Sequence, residues 1–270
     1  MNNRSPGIDF SKYAGGYAPE GETNIDFSVV KAIEGTWPDP KFDTHTKSLR
    51  DKGVFRQFIY DYYRDSVPWK QQVDLTLELA QGSPVDFYGI WVDFEGQNNN
   101  LSRTYPRCAR EVAEMVRYYQ MEYPNSGIYC NMDAYITYLE PELGSEWLNK
   151  IPLWIAAPFY IDKKSPREKV LAGEFNPQWF IWRMTPAGVW YKVYPKRDPY
   201  NWTLWQYSFL GDPKLYGIID KLAVDEDCFN GNVDALNRWM GFDVPEEPPS
   251  LEEIVKKIKD GRFIEERRLR

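Results

Sequence analysis

Two carboxylates one residue apart close an apolar run in the segment GIWVDFEG, where Asp93 and Glu95 follow the stretch 87–92. Other acids stand in comparable places. Asp9 lies in the short run GIDF, and Asp225 lies near the end of LAVDEDCF. On an extended strand, side chains at i and i+2 project to the same side, so Asp93 and Glu95 are expected to share one pocket. Acids gathered in one cleft are what glycoside hydrolysis needs. One, kept protonated, gives its proton to the leaving oxygen; another stays ionised and steadies the positive charge that develops at the sugar carbon. Crowding of like charges and loss of water supply the protonated partner, since both disfavour the charged form. A lone acid pair has a plainer explanation, because acids beside loops also cap helices or pair with arginine. Four acids at matching positions weigh evenly against it.

The elements that must hold these groups are short apolar strands alternating with helical segments. Strands are read at 7–10, 27–35, 54–63, 87–95, 127–131, 152–157, 203–208 and 222–229. A helix over 68–82 opens at Pro68 and stops at Gly82, another over 107–123 stops before Pro124, and Gly53 closes a third. Strands alternating with helices imply parallel βαβ units. Eight of them in this length imply an α/β fold of the (β/α) barrel type, whose catalytic groups sit at the C-terminal strand ends. The first and eighth strands are neighbours in a closed barrel, which brings Asp9 to Asp225. Residues 158–202 hold no convincing crossover helix and are rich in Pro, Lys and aromatics, which fits hairpins or a long loop. The expectation is a modified TIM-like barrel with irregular last strands. Trp179, Trp182, Trp190 and Trp202 either pack within that segment or line a glycan subsite.

The character of the chain changes past Phe242. Residues 243–250, DVPEEPPS, read as a Pro-rich acidic linker, so the barrel is assigned to 1–242. A short helical tail over 251–270 follows, with Leu251, Ile254, Val255 and Ile258 on one face, and Ser250 and Glu253 forming a capping box. That face either docks on the barrel or supports self-association with a second chain.

Composition excludes several classes. The net charge of −7 and the lack of a basic stripe argue against nucleic acid, and no apolar run reaches the length of a membrane span. The N-terminus MNNRSPGIDFSKY lacks the charged-then-apolar pattern of a signal peptide, which points to synthesis in the cytoplasm and action after release, or to another export route. Three widely spaced cysteines, Cys108, Cys130 and Cys228, are no disulfide framework, and with the single His45 they give no zinc site. Eleven Trp and nineteen Tyr raise the expectation of stacking on sugar rings modestly.

The motifs, taken in order, resemble glycoside hydrolase family 25, the lysozymes (N-acetylmuramidases) that include phage endolysins. GIDFSKY is similar to the family's opening GIDVSxxQ, DFSVVKAIEGT to FxxxKATEGT, FIYDYYR to its third-strand motif, GIWVDFEG to xLDVE, and VDEDCFNG to VDLNxFNG. SGIYCN, PLWIAA and LWQYS also find counterparts, giving eight motifs in register over residues 7–231. The resemblance implies a modified β/α barrel, hydrolysis of the β-1,4 bond between N-acetylmuramic acid and N-acetylglucosamine in bacterial peptidoglycan, and no metal or organic cofactor. It places Glu95 as general acid, Asp93 on the sugar's 2-acetamido group, and Asp9 and Asp225 in the acidic floor. Tyr60, Tyr62, Tyr129, Trp154 and Gln206, which stand in the matching motifs, become the expected substrate-binding residues. Two positions depart from the family: Asp61 stands where many members have histidine, and Asp227 where many have asparagine. Either one pointing into the cleft would make its field more negative, but alternation places Asp61 opposite to Tyr60. A catalytically inactive barrel that binds cell wall or serves a phage particle, and a hydrolase of another N-acetylhexosamine polymer such as chitin, remain the alternatives.

Overall fold

The structure, a computed structural model, describes residues 3–17, 23–96, 105–158, 165–198, 200–219, 221 and 223–242. The linker 243–250 and the tail 251–270, with the self-association assigned to it, lie outside the described residues.

Eight strands close into a barrel: β1 (Pro6–Phe10), β2 (Phe27–Glu34), β3 (Gln57–Tyr62), β4 (Phe87–Asp93), β5 (Gly127–Asn131), β6 (Leu153–Ala156), β7 (Leu204–Gly211) and β8 (Val224–Phe229). Neighbours run β1-β8-β7-β6-β5-β4-β3-β2, and the pairing of β2 with β1 closes the ring. Adjacent pairs from β1–β2 round to β6–β7 are parallel. The last strand is reversed, antiparallel to both β7 and β1. This is the form that the expected irregularity of the last strands takes, in place of an eighth parallel strand. The cause lies in the link between β7 and β8, which holds a short turn of 3-10 helix at Pro213–Tyr216 and no crossover helix among its described residues. A parallel return needs such a crossover.

The outer layer comes from helices α1 (Phe42–Asp51), α2 (Trp69–Gly82) and α3 (Tyr105–Glu122). Each follows a strand and lays an apolar stripe on the barrel. In α3 that stripe is Cys108, Ala109, Val112, Met115, Val116 and Tyr119, all fully buried, at the spacing of one helix face. After β5 the chain makes only short helical pieces, from Met132–Ala134 to Ser145–Leu148. After β6 it forms a five-residue helix, Arg167–Leu171, and a hairpin of Ile181–Met184 with Trp190–Val193. Arg183 ties the hairpin to Asp133 at 2.7 Å, just past the mouth end of β5. The tryptophans of this region divide: Trp179 and Trp202 are core, whereas Trp182 and Trp190 stand exposed on the hairpin.

A second apolar cluster fills the barrel interior, built from Phe27, Phe58, Trp91, Trp154, Leu204 and Phe229 among others. Its lower end is plugged by α4 (Val233–Trp239), which starts on Asn232, whose side chain accepts the Ala235 N–H at 3.0 Å. Trp239 stacks on Trp91 and packs on Phe58 and Phe229, with ring centroids 5.6–6.4 Å apart. Gly7 has no side chain for a reason: a Cβ there would sit 2.3 Å from the Phe27 ring.

Candidate active site

The upper end of the barrel opens into a cavity of about 270 Å³. Its walls include Asp9, Asp93, Glu95 and Asp225, together with Tyr60, Tyr62, Tyr129, Trp154 and Gln206. All nine residues singled out in the sequence therefore meet in one place. Ser11, Tyr13, Lys31 and Phe209 line it too, and the motifs did not single them out.

Strand register explains the assembly. Tyr62 pairs with Asp93, and Asp93 with Tyr129. Tyr129 pairs with Trp154, and Gln206 with Ala156 on one side and Asp227 on the other. Asp9 extends the register in which Gly7 faces Asp227 and Ile8 faces Glu226. Asp225 is the second residue of β8, not one near its end as the sequence reading had it. It reaches the mouth because β8 runs backwards and offers its N-terminal end where the other strands offer their C-terminal ends. Glu95 also differs from its expected place within a strand. β4 ends at Asp93; the Phe94 N–H then donates to the Tyr129 carbonyl at 2.9 Å, and Gly96 turns at φ +65° against the Tyr138 ring. Glu95 is held between a buried Phe94 and that turn.

Below the rim runs a buried polar chain. The Tyr129 hydroxyl donates to Gln206 Oε1 at 2.7 Å, and Gln206 Nε2 donates to Asp9 Oδ2 at 2.6 Å. Asp227 lies close enough to Asp9 to raise its pKa, and its Oδ1 accepts the Trp154 indole N–H at 2.8 Å. Asp227 is fully buried, so this departure from the family pattern sits under the acids of the cavity. Asp61 turns the other way, as alternation requires, and accepts from Tyr119 at 2.7 Å and Thr76 at 3.4 Å in the helical layer.

Burial dominates the electrostatics. It pushes Asp9 well above the usual carboxylate range, Asp225 and Asp227 add to this, and the Gln206 amide opposes it. Asp93 is pushed well up by burial and then by Glu95, while Lys31 pulls it back. Asp225 rises to about 6, again through burial first, with Lys221 opposing and Glu95 adding. Asp227 is pushed well up by burial against the bond from Trp154. Burial and then Asp9 and Asp93 keep the Tyr60 phenol protonated, so it can act as a donor. Lys31 is the lysine of the cavity wall, and it is paired with Glu34 at 2.8 Å. Among the described residues no group of three His, Cys, Asp or Glu could hold a metal ion. No helix among them is long and apolar enough to cross a membrane.

Residues 8–212 match the family described as glycosyl hydrolases family 25. The chain belongs to that family. This glycoside hydrolase shares its fold with solved structures at low identity. The bacterial lysozyme from Streptomyces coelicolor is 19% identical, with a TM-score of 0.61 over 88% of this chain and 95% of that one. A family GH25 lysozyme from Aspergillus fumigatus is 18% identical, with a TM-score of 0.60 over 87% and 98%. The catalytic domain of endolysin ply40 from bacteriophage P40 of Listeria monocytogenes is 17% identical, with a TM-score of 0.59 over 88% and 98%. Comparison with curated proteins gives no match.

Proposed function

We propose that this glycoside hydrolase is a lysozyme that cleaves the β-1,4 bond between N-acetylmuramic acid and N-acetylglucosamine in bacterial peptidoglycan, with net retention assisted by the substrate's acetamido group. One observation carries the reading: four carboxylates from three strands and one loop line a single aromatic-walled cavity at the barrel mouth of a family 25 chain. Aromatic walls suit the apolar faces of sugar rings, and the acids suit proton transfer and charge stabilisation.

Glu95, on the loop beyond β4, is the general acid toward the leaving oxygen. Asp93, one layer deeper, takes the acetamido N–H and steadies the amide as its oxygen attacks the anomeric carbon. Burial favours the protonated form of Asp93. A substrate N–H landing on Asp93 favours its ionised form, and Lys31 works in the same direction. Substrate binding thus favours the Asp93 carboxylate, the form that steadies the amide. Tyr60 donates to the acetamido oxygen, and Asp9 and Asp225 hold the floor of the site. A retaining enzyme with a protein nucleophile places its two carboxyls about 5–5.5 Å apart across the sugar. Asp93 and Glu95 come from one strand end, on one side of the sugar, which favours the acetamido oxygen as the nucleophile.

Reducing ends released from purified peptidoglycan, with chitin in parallel, test the substrate. Glu95→Gln is expected to lose at least ~10²-fold in turnover while remaining folded. Wild-type turnover by this variant removes Glu95 from the mechanism, preference for chitin overturns the substrate, and inactivity of the wild type on both overturns the enzyme reading. Proton NMR of the first-formed anomer tests retention. An inverted product, or a sugar ester trapped on an aspartate, refutes acetamido assistance.

A further inference from the structure

A second cavity, about 130 Å³, lies beside the acidic one and shares Lys31 with it. Its walls also carry Lys12, Glu34, Trp37 and Asp39. The two cavities meet again at the β1 loop, where Lys12 faces the second, Tyr13 lines the first, and the Lys12 ammonium lies 5.1 Å from the Tyr13 ring centre.

The second cavity is built rigidly. The pair Trp37–Pro38 adds a short antiparallel strand to the mouth end of β2, with Glu34 opposite Trp37 and Ile33 opposite Pro38. Buried Asp39 accepts the N–H of Lys12 at 2.7 Å and that of Lys41 at 2.9 Å, which locks the β1 loop to this turn. Its own N–H donates to the Ala32 carbonyl at 2.8 Å. Glu34 accepts from Lys31 at 2.8 Å and from Arg64 Nε at 3.1 Å. Burial alone would raise its pKa, but these bonds outweigh that and hold it at about 2, so it is an acceptor at every working pH. On this frame the Trp37 indole stands 64% exposed.

A single exposed tryptophan is ordinary. Trp37 differs because it borders a cavity that shares Lys31 with the catalytic one. The charges there, Lys12 and Lys31 against Glu34 and Asp39, balance, so neither a phosphate nor a cation is favoured. A flat apolar ring beside fixed donors and acceptors matches a neutral pyranose, whose C–H face stacks while its hydroxyl and amide groups hydrogen-bond. We propose that the Trp37 shelf is a glycan subsite that takes an N-acetylhexosamine ring of the bound strand, beyond the sugars held at the acids. This rests on the glycan-strand reading of the acidic cavity.

The test uses glycan strands freed of stem peptide by an amidase and sorted by length. Trp37→Ala should lower the ratio of kcat/KM on long strands to that on the shortest cleaved fragment by roughly tenfold, the upper range for an aromatic contact. Trp37→Phe, which keeps a flat ring, should restore most of the ratio. An unchanged ratio, or equal losses at both lengths, overturns the subsite. Binding is read separately from cleavage by titrating the same strands into Glu95→Gln with and without Trp37→Ala. A weaker Kd with the alanine supports the shelf, and an identical Kd overturns it. A wild type that cleaves no peptidoglycan but still binds strands through Trp37 overturns the proposed activity and leaves the subsite standing.

Discussion

Asp227 offers the sharpest test of the electrostatics beneath the site. Its carboxyl is fully buried and faces two groups with opposite demands. The Trp154 indole N–H needs an acceptor, which Oδ1 supplies at 2.8 Å. Asp9, pushed well up by burial and crowded by Asp225, is disfavoured as a carboxylate by any further negative charge beside it. A protonated Asp227 meets both demands, and burial drives it to that form. Asparagine has the same shape, accepting through its carbonyl and donating through its amide. Asp227→Asn should therefore keep the fold and retain activity within a few-fold. Asp227→Ala leaves a buried indole N–H without a partner, which costs about 1–3 kcal/mol before any cavity is counted.

The pH dependence separates the two ionisation states of Asp227. An acid whose folded pKa is raised contributes its stability fully below the unfolded value, near ~3.9, and loses it as pH rises toward the folded value. The unfolded wild type gains its charge first and is stabilised by it. Asp227→Asn has no such loss, so it should gain on the wild type by up to about 1.4 kcal/mol per pH unit above that value. Urea unfolding followed by circular dichroism at intervals from acid to neutral pH measures the difference. If the wild type instead gains on Asp227→Asn as pH rises, or if asparagine proves as damaging as alanine, Asp227 is ionised in the native protein and the argument fails.

Two further outcomes follow from the same reasoning. Asp61, buried between α2 and α3, is raised by burial from 3.8 to about 7, so the wild type should lose up to ~4 kcal/mol of stability between pH 4 and 7 that Asp61→Asn does not lose; parallel pH curves for the two proteins in denaturant refute this. Lys31 restrains the rise of Asp93, so Lys31→Met should make the Asp93 carboxylate harder to form, lower activity about tenfold and move the acid limb of the kcat/KM profile to higher pH; an unmoved limb refutes the assignment.

The barrel was legible because each buried strand carries a dense apolar run bounded by turn residues, and the amphipathic helices α2 and α3 carry their own period and stops. Strand direction was not legible. A run buried on both faces, such as VDEDCF, reads alike forwards and backwards, so the reversal of β8 left no mark in its sequence. Asp225 was placed at the mouth for the wrong reason, since the reversal delivers what a strand end was expected to deliver. Alternation correctly sent Asp61 outward, and the same rule puts Asp225 and Asp227 on one side of β8, but depth below the rim is not encoded in alternation. Lys31 is marked in the sequence as a cation inside the apolar run FSVVKAIE, where burial demands a partner. The four tryptophans of 158–202 could not be sorted, because packing and display ask for the same residue type.

The interior of the barrel explains how one site holds so many acids. Read from α4 upward, it passes from the aromatic plug of Trp239, Phe58, Trp91 and Phe229 to Tyr60, Tyr129 and Trp154, and only then to carboxylates. The lower layers exclude water from beneath the acids, which is why burial is the first cause of every raised carboxyl in the cavity. The same layers offset the cost, since each large apolar side chain fully buried contributes about 1.5–3 kcal/mol. Phe27, Phe58 and Trp91 are all fully buried there. Thinning the plug therefore acts on chemistry as well as on stability. A smaller residue at Trp91 would let water under Asp93 and lower its pKa, so its carboxylate would already be formed before the acetamido N–H arrives. In this arrangement the apolar core sets the protonation of the acids above it.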